Sequence, residues 1–185
     1  MLDLNKVNNS WTLFLDRDGV INQEKESDYI YHYGEFSFYE GVRAALQYLS
    51  TRFDKIIIIT NQRGVGRQLM SEEDLVAIHE QMLADIEASG GRVHKIYYCT
   101  ADDDTHPNRK PNPGMAKQAV REFPEINLSR SIMVGNKLSD MQFGRNAGMH
   151  TVFVKTTDPA QALPHPMIDL VFEDLPAFAK ALQNT

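Results

Sequence analysis

Six short apolar runs, at residues 11–15, 55–60, 93–99, 131–134, 151–154 and 168–172, set the fold class of this chain. They are rich in β-branched and aromatic residues and have strand length, not helix length. The second carries four consecutive isoleucines, Ile56, Ile57, Ile58 and Ile59, so a strand there is apolar on both faces and must be covered on both. The intervening segments are long enough for helices. Residues 71–89 are the clearest: Ser71 and Asp74 form a capping box, Leu75, Ile78, Met82, Leu83 and Ile86 recur at helical spacing, and Gly90 and Gly91 end the run. Helices are also expected over 42–50, 115–123, 139–147 and 176–183, the last capped by Asp174. Strands covered on both faces with helical crossovers predict an α/β fold with a doubly wound, mostly parallel sheet. At 185 residues, with no repeat, low-complexity tract or composition shift, the chain reads as a single domain over 1–185.

Charge and cysteine content narrow the function classes. With 25 acidic against 19 basic residues and a net charge of −6, nothing pulls the chain as a whole toward nucleic acid or anionic lipid. The single cysteine, Cys99, excludes an intrachain disulfide and a multi-cysteine zinc site and suits a reducing compartment. The N-terminus lacks the basic start and apolar core of a signal peptide, and no apolar run is long enough to span a bilayer. The expectation is a soluble, cytoplasmic, monomeric protein with no nucleic-acid or membrane partner.

In doubly wound sheets ligands sit beyond the C-terminal strand ends. Four polar clusters fall there: Asp16 and Asp18 after the first run, Thr60 to Arg63 after the second, Arg109 and Lys110 beyond the third, and Asn136 to Asp140 after the fourth. Each alone reads as ordinary turn chemistry or a solvated pair. Their convergence on one sheet edge does not. Two carboxylates held close repel unless a cation lies between them or one stays protonated, and oxygen ligands select a hard ion such as Mg²⁺. A threonine hydroxyl, backbone N–H groups and a lysine supply the donors that a phosphoryl group needs. Phosphate-monoester hydrolysis is slow enough without a catalyst, with enhancements of up to ~10²¹ recorded, to call for metal, lysine and nucleophile together. An aspartate can be that nucleophile, and a second can serve as acid and base.

The chain resembles the haloacid-dehalogenase-like (HAD) phosphatases, whose four motifs look like LFLDRDGV, IIIITN, RKPNPGM and MVGNKLSD here. FLDRDGVIN, TNQRGVGR, IYYC and VGNKLSDMQFGRNAGM narrow the resemblance to the branch acting on heptose 1,7-bisphosphate or histidinol phosphate. It covers roughly residues 10–157, and the fold it implies is a Rossmann-like sheet with no large cap domain. By this resemblance Asp16 is the nucleophile and a Mg²⁺ ligand, and Asp18 is the general acid and base, binding the metal through its backbone carbonyl. Lys110, with Thr60 and Asn61, holds the transferring phosphoryl group. Arg109 and Lys137 fix the substrate, and Gln62, Arg63 and the loop from Glu24 to Tyr29 line the leaving-group side. The implied activity is Mg²⁺-dependent hydrolysis of a small phosphorylated metabolite, D-glycero-D-manno-heptose 1,7-bisphosphate at its 7-phosphate. The alternatives are histidinol phosphate as substrate, or a catalytically impaired phosphate-binding scaffold.

Two departures qualify that pattern. Many members of the heptose branch hold zinc on several cysteines and a histidine before the Arg-Lys-Pro motif, where this chain has only Cys99 and His106. No zinc is expected. Asn136 stands where the family usually places an aspartate ligand, which removes one negative charge from the metal site, and Asp140 is close enough in sequence to compensate through a water. Asn136→Asp is expected to lower the Mg²⁺ requirement. The acidic run Asp102, Asp103, Asp104 reads as a solvated loop.

Overall fold

The computed structural model describes residues 2–185. Six strands, β1 (Thr12–Leu15), β2 (Lys55–Asn61), β3 (Lys95–Cys99), β4 (Ser131–Gly135), β5 (His150–Val154) and β6 (Leu170–Phe172), form one sheet in the order β3-β2-β1-β4-β5-β6. Every neighbouring pair is parallel. The six helices are α1 (Val42–Arg52), α2 (Arg63–Gly66), α3 (Glu72–Ala88), α4 (Gly114–Glu122), α5 (Leu138–Ala147) and α6 (Leu175–Gln183). No described helix is long and apolar enough to cross a membrane.

The period-two geometry of a strand explains the isoleucine run. Ile56 and Ile58 join one apolar core, with Leu13, Leu15, Ile132 and Val134 from the neighbouring strands. Ile57 and Ile59 join the other, with Phe14 and Met133. All four isoleucines are fully buried, each worth roughly 1.5–3 kcal/mol of burial. Helices α1, α3 and α6 cover the first face through Leu46, Ile78, Met82 and Phe178. The second is covered by α4 and α5 through Met115, Ala119 and Phe143.

Local signals set the helix ends. Ser71 Oγ accepts from Asp74 N at 3.0 Å while Ser71 N donates to Asp74 Oδ2 at 3.0 Å, which is the expected capping box of α3. Asp174 Oδ1 accepts from Ala177 N at 2.7 Å and caps α6. Helix α2 and the short 3-10 turns at Leu4–Lys6, Tyr33–Glu35 and Leu128–Arg130 are additions to the sequence reading; they are too short to leave a periodic signal. The aromatic segment after β1 is tied down by a parallel bridge from Asn22 to Asp18 and an antiparallel one to Phe38. Tyr33 stacks on Phe36 and donates to Asp85 on α3, so most of its aromatic rings pack against the body of the protein.

The strand order reverses between β1 and β4. Adjacent crossovers leave the sheet on opposite faces there, and the strand ends open into a crevice. The first and fourth polar clusters sit side by side at that point, flanked by the second at the end of β2.

Candidate active site

The crevice is a cleft of about 430 Å³ whose lining includes Asp16, Asp18, Thr60, Asn61, Gln62, Arg63, Arg109, Lys110, Lys137 and Asp140. Ten of the eleven residues expected from sequence to form the site therefore meet on one surface. Asn136 is fully buried below the neighbouring wall, beside Lys137 and Thr157.

Lys110 is the electrostatic centre. Its ammonium is buried and lies 2.8 Å from Asp16 Oδ1 and 2.7 Å from Asp140 Oδ1, and it donates to Ile59 O at 3.0 Å. Burial opposes its charge, but the two carboxylates more than offset that and raise its pKa, so it stays protonated. Asp16 experiences the reverse balance. Burial, assisted by the charges of Asp140 and Asp18 and opposed by Lys110, pushes its carboxyl up to about 7. Its Oδ1 accepts from Arg17 N at 2.7 Å as well as from Lys110, which leaves Oδ2 for chemistry.

Asp18 is held differently. Arg17 Nε and Nη2 donate to its Oδ1 at 3.2 and 2.9 Å, Asn22 Nδ2 donates to the same oxygen at 3.0 Å, and Gln62 Nε2 donates to Oδ2 at 2.9 Å. Burial alone would raise its pKa, but the Arg17 charge and these hydrogen bonds hold it below the usual carboxylate value. The two neighbouring carboxylates are thus shifted in opposite directions, Asp16 up by burial and Asp18 down by Arg17.

The β2 end contributes in two ways. Thr60 Oγ1 accepts from Gln62 Nε2 at 2.8 Å, so its own proton remains available to a ligand. Asn61 turns to the loop: its Nδ2 donates to Lys110 O at 3.2 Å and its Oδ1 accepts from Lys110 N at 3.0 Å. This two-point clamp ties the Lys110 backbone to β2 and fixes where the ammonium lies.

At the cleft mouth the acidic loop is exposed but not free. Asp104 pairs with Arg63 and with Arg109, and Asp102 pairs with Arg63 at 2.6 Å and Arg67 at 3.0 Å. Only Asp103 fits the reading of a purely solvated run, accepting from its neighbour Thr105. The sequence could not reveal these pairings, because Arg63 and Asp104 are 41 residues apart. On the opposite wall Lys137 pairs with Glu24. Arg17 and His79 also escaped the sequence reading; a 1% exposed arginine between two aspartates resembles any solvated charge until the fold is known.

The donor set suits a divalent cation. Asn136 Nδ2 donates to Thr157 Oγ1 at 2.6 Å and to Glu24 Oε2 at 3.3 Å, whereas Asn136 Oδ1 is buried with no partner. A buried unpaired carbonyl costs about 1–3 kcal/mol, and a cation shared with Asp16 would satisfy it while offsetting the burial and the neighbouring carboxylates that raise the Asp16 pKa.

Comparison with known proteins gives consistent relationships. A family model described as HAD-hydrolase-like matches residues 107–178. The D-glycero-alpha-D-manno-heptose-1,7-bisphosphate 7-phosphatase of Mycobacterium bovis is 31% identical over 96% of this chain and 94% of its own. That of Campylobacter jejuni is 37% identical over 77% of this chain and 80% of its own. The D-glycero-beta-D-manno-heptose-1,7-bisphosphate 7-phosphatase of Pasteurella multocida is 33% identical over 93% of this chain and 98% of its own. Among solved structures, the D,D-heptose 1,7-bisphosphate phosphatase of B. bronchiseptica complexed with magnesium and phosphate superposes with a TM-score of 0.85 at 30% identity, covering 94% of this chain and 98% of that one.

Proposed function

Because the chain belongs to the HAD-like hydrolases, within the heptose-bisphosphate phosphatases, we propose that it hydrolyses D-glycero-D-manno-heptose 1,7-bisphosphate at the 7-phosphate. It is a phosphoric monoester hydrolase. The observation that carries the site reading is the buried Asp16–Lys110–Asp140 array at the switch point.

In this reading Asp16 Oδ2 attacks phosphorus and forms an aspartyl-phosphate while the substrate alkoxide departs. Lys110, Thr60 and neighbouring backbone N–H groups hold the phosphoryl oxygens. Asp18 gives a proton to the leaving oxygen, then takes one from the water that opens the intermediate. An incoming phosphoryl dianion adds negative charge beside Asp18 and raises its proton affinity from the depressed resting value, so the carboxyl can serve in both directions. Asp16, the Asp18 carbonyl and Asn136 Oδ1 would hold Mg²⁺, with Asp140 supporting from behind Lys110. When bound, the ion supplies Lewis-acid stabilisation of the transferring phosphoryl group. Asn61 contributes through its clamp on Lys110.

Arg63, Arg109 and Lys137 line the cleft, each paired with a carboxylate of the mouth, Asp104 or Glu24; a second anionic group on the substrate would exchange for those carboxylates, which the aminoalcohol of histidinol phosphate cannot do. Relatives of both anomeric specificities match. The protein acts as a cytoplasmic monomer, a single domain over 1–185, with no nucleic-acid or membrane partner and no structural zinc. The zinc-free reading rests on the donor set of its loop, one cysteine and one histidine.

The test is phosphate release from heptose 1,7-bisphosphate, fructose 1,6-bisphosphate and histidinol phosphate, with Mg²⁺ and with chelator. Mg²⁺-dependent release of one phosphate, preferentially from the heptose, is expected. Preference for histidinol phosphate would reassign the substrate, and silence across the panel would leave a binding protein.

A further inference from the structure

Arg17 is fully buried and spends its guanidinium in two directions. Nε and Nη2 grip Asp18 Oδ1, and Nη1 lies 3.0 Å from Nε2 of His79 on α3. A guanidinium has donors only. His79 Nε2 is therefore the acceptor, and the ring is neutral with its proton on Nδ1. Burial, followed by the nearby Arg17 charge, drives the His79 pKa down to about 3, which keeps it in that form. The Tyr98 ring, 5.6 Å away between centroids, closes the other side.

Packing alone does not call for this residue. The adjoining α3 positions that meet the core are Leu75, Ile78, Met82 and Ile86, and another apolar side chain would fill the place of His79 without desolvating an imidazole. What an apolar side chain cannot do is accept from Nη1. A buried guanidinium with an unsatisfied N–H swings toward any available acceptor, and the group that depends on its orientation is Asp18. We propose that His79 is a positioning residue: by accepting from Arg17 it fixes the guanidinium that aims the Asp18 carboxyl at the leaving-group oxygen.

The inference rests on the acid and base role of Asp18 stated above. Its signature is dependence on the leaving group. A sugar alkoxide needs protonation to depart, whereas 4-nitrophenolate leaves unaided. The experiment is the ratio of kcat/KM on heptose 1,7-bisphosphate to kcat/KM on 4-nitrophenyl phosphate for wild type, His79→Leu, His79→Gln and Asp18→Asn, with circular dichroism confirming the fold. His79→Leu is expected to lower the ratio by about tenfold, part of the 10²–10⁴ typical of acid–base catalysis. His79→Gln, whose amide oxygen can take the place of Nε2, is expected to return it to within about threefold of wild type on the same scale. If His79→Leu fails to fold, His79→Asn, whose amide stops short of the guanidinium, takes its place with the same expectation. Equal loss on both substrates, or a Gln variant no better than Leu, overturns the proposal while a lowered ratio in Asp18→Asn preserves the reading of Asp18. An Asp18→Asn variant slowed equally on both substrates overturns that reading and the inference with it.

Discussion

Lys110, Asp16 and Asp140 form a buried triad in which one cation balances two carboxylates, so removing the cation and removing an anion have opposite consequences for stability. Lys110→Met leaves two desolvated carboxylates facing each other and is expected to cost about 3–5 kcal/mol in chemical denaturation, besides abolishing turnover. Asp16→Asn is expected to reduce kcat by at least about 10³-fold, since loss of the proposed nucleophile removes a step that no other group replaces. The fold of that variant stays intact, because Lys110 keeps Asp140. Asn136 carries a more conditional expectation. An aspartate there adds charge for the cation but sets a carboxylate oxygen where Nδ2 now lies 3.3 Å from Glu24 Oε2. In magnesium titrations by calorimetry, Asn136→Asp is expected to tighten binding less than the double variant Asn136→Asp/Glu24→Gln. Equal tightening would mean that Glu24 does not oppose the new charge.

The turn that delivers Asp18 depends on Gly19. Its φ of +85° suits glycine, and a Cβ there would lie 2.0 Å from Asn136 Nδ2, so a side chain pays twice, in backbone strain and in displacement of the Asn136 amide. Gly19→Ala is expected to destabilise by more than about 1 kcal/mol and to raise the Mg²⁺ concentration for half-maximal activity; an unchanged requirement would separate the turn from the ion site. At the far end of the chain, Asp174 caps α6 away from the cleft. Asp174→Ala is expected to cost about 1 kcal/mol in thermal unfolding without altering kcat. Both helix caps were readable in sequence because a cap is a contact between residues three apart. Helix α2 was not, since its single turn is set by the chain leaving β2 and packing Gly64 against Tyr29.

The molecule as a whole should show two opposing pH dependences of stability in chelator. Asp16 titrates at about 7 in the folded chain against an ordinary value of 3.8. The folded state holds the extra proton, so this contribution is complete below about 4 and is lost as pH rises to about 7. Asp16→Asn cannot ionise, and its melting temperature is expected to gain on wild type across that window and level off above it. His79 runs the other way: folded near 3 and ordinarily 6.5, it favours the folded chain above about pH 6.5, and that advantage declines as pH falls toward 3. His79→Gln should flatten this acid-side decline. By itself the sequence determined the sheet class, the six strands, the capped helices and the four strand-end clusters, because hydrophobic period, caps and motif spacing are local properties of the chain. The residues that line the cleft were nameable for the same reason, since each cluster is contiguous. Only the tertiary structure decided which charges face one another. The packing of β1 beside β4 sets Asp16 near Asp140, and the Asn61 clamp on β2 brings the Lys110 ammonium to within 3 Å of both. The docking of α3 sets His79 against Arg17, 62 positions away, and the return of the acidic loop hands Asp104 to Arg63 and Arg109. Coulombic and hydrogen-bond energies depend on distance in space and on burial, and neither is a function of separation along the chain.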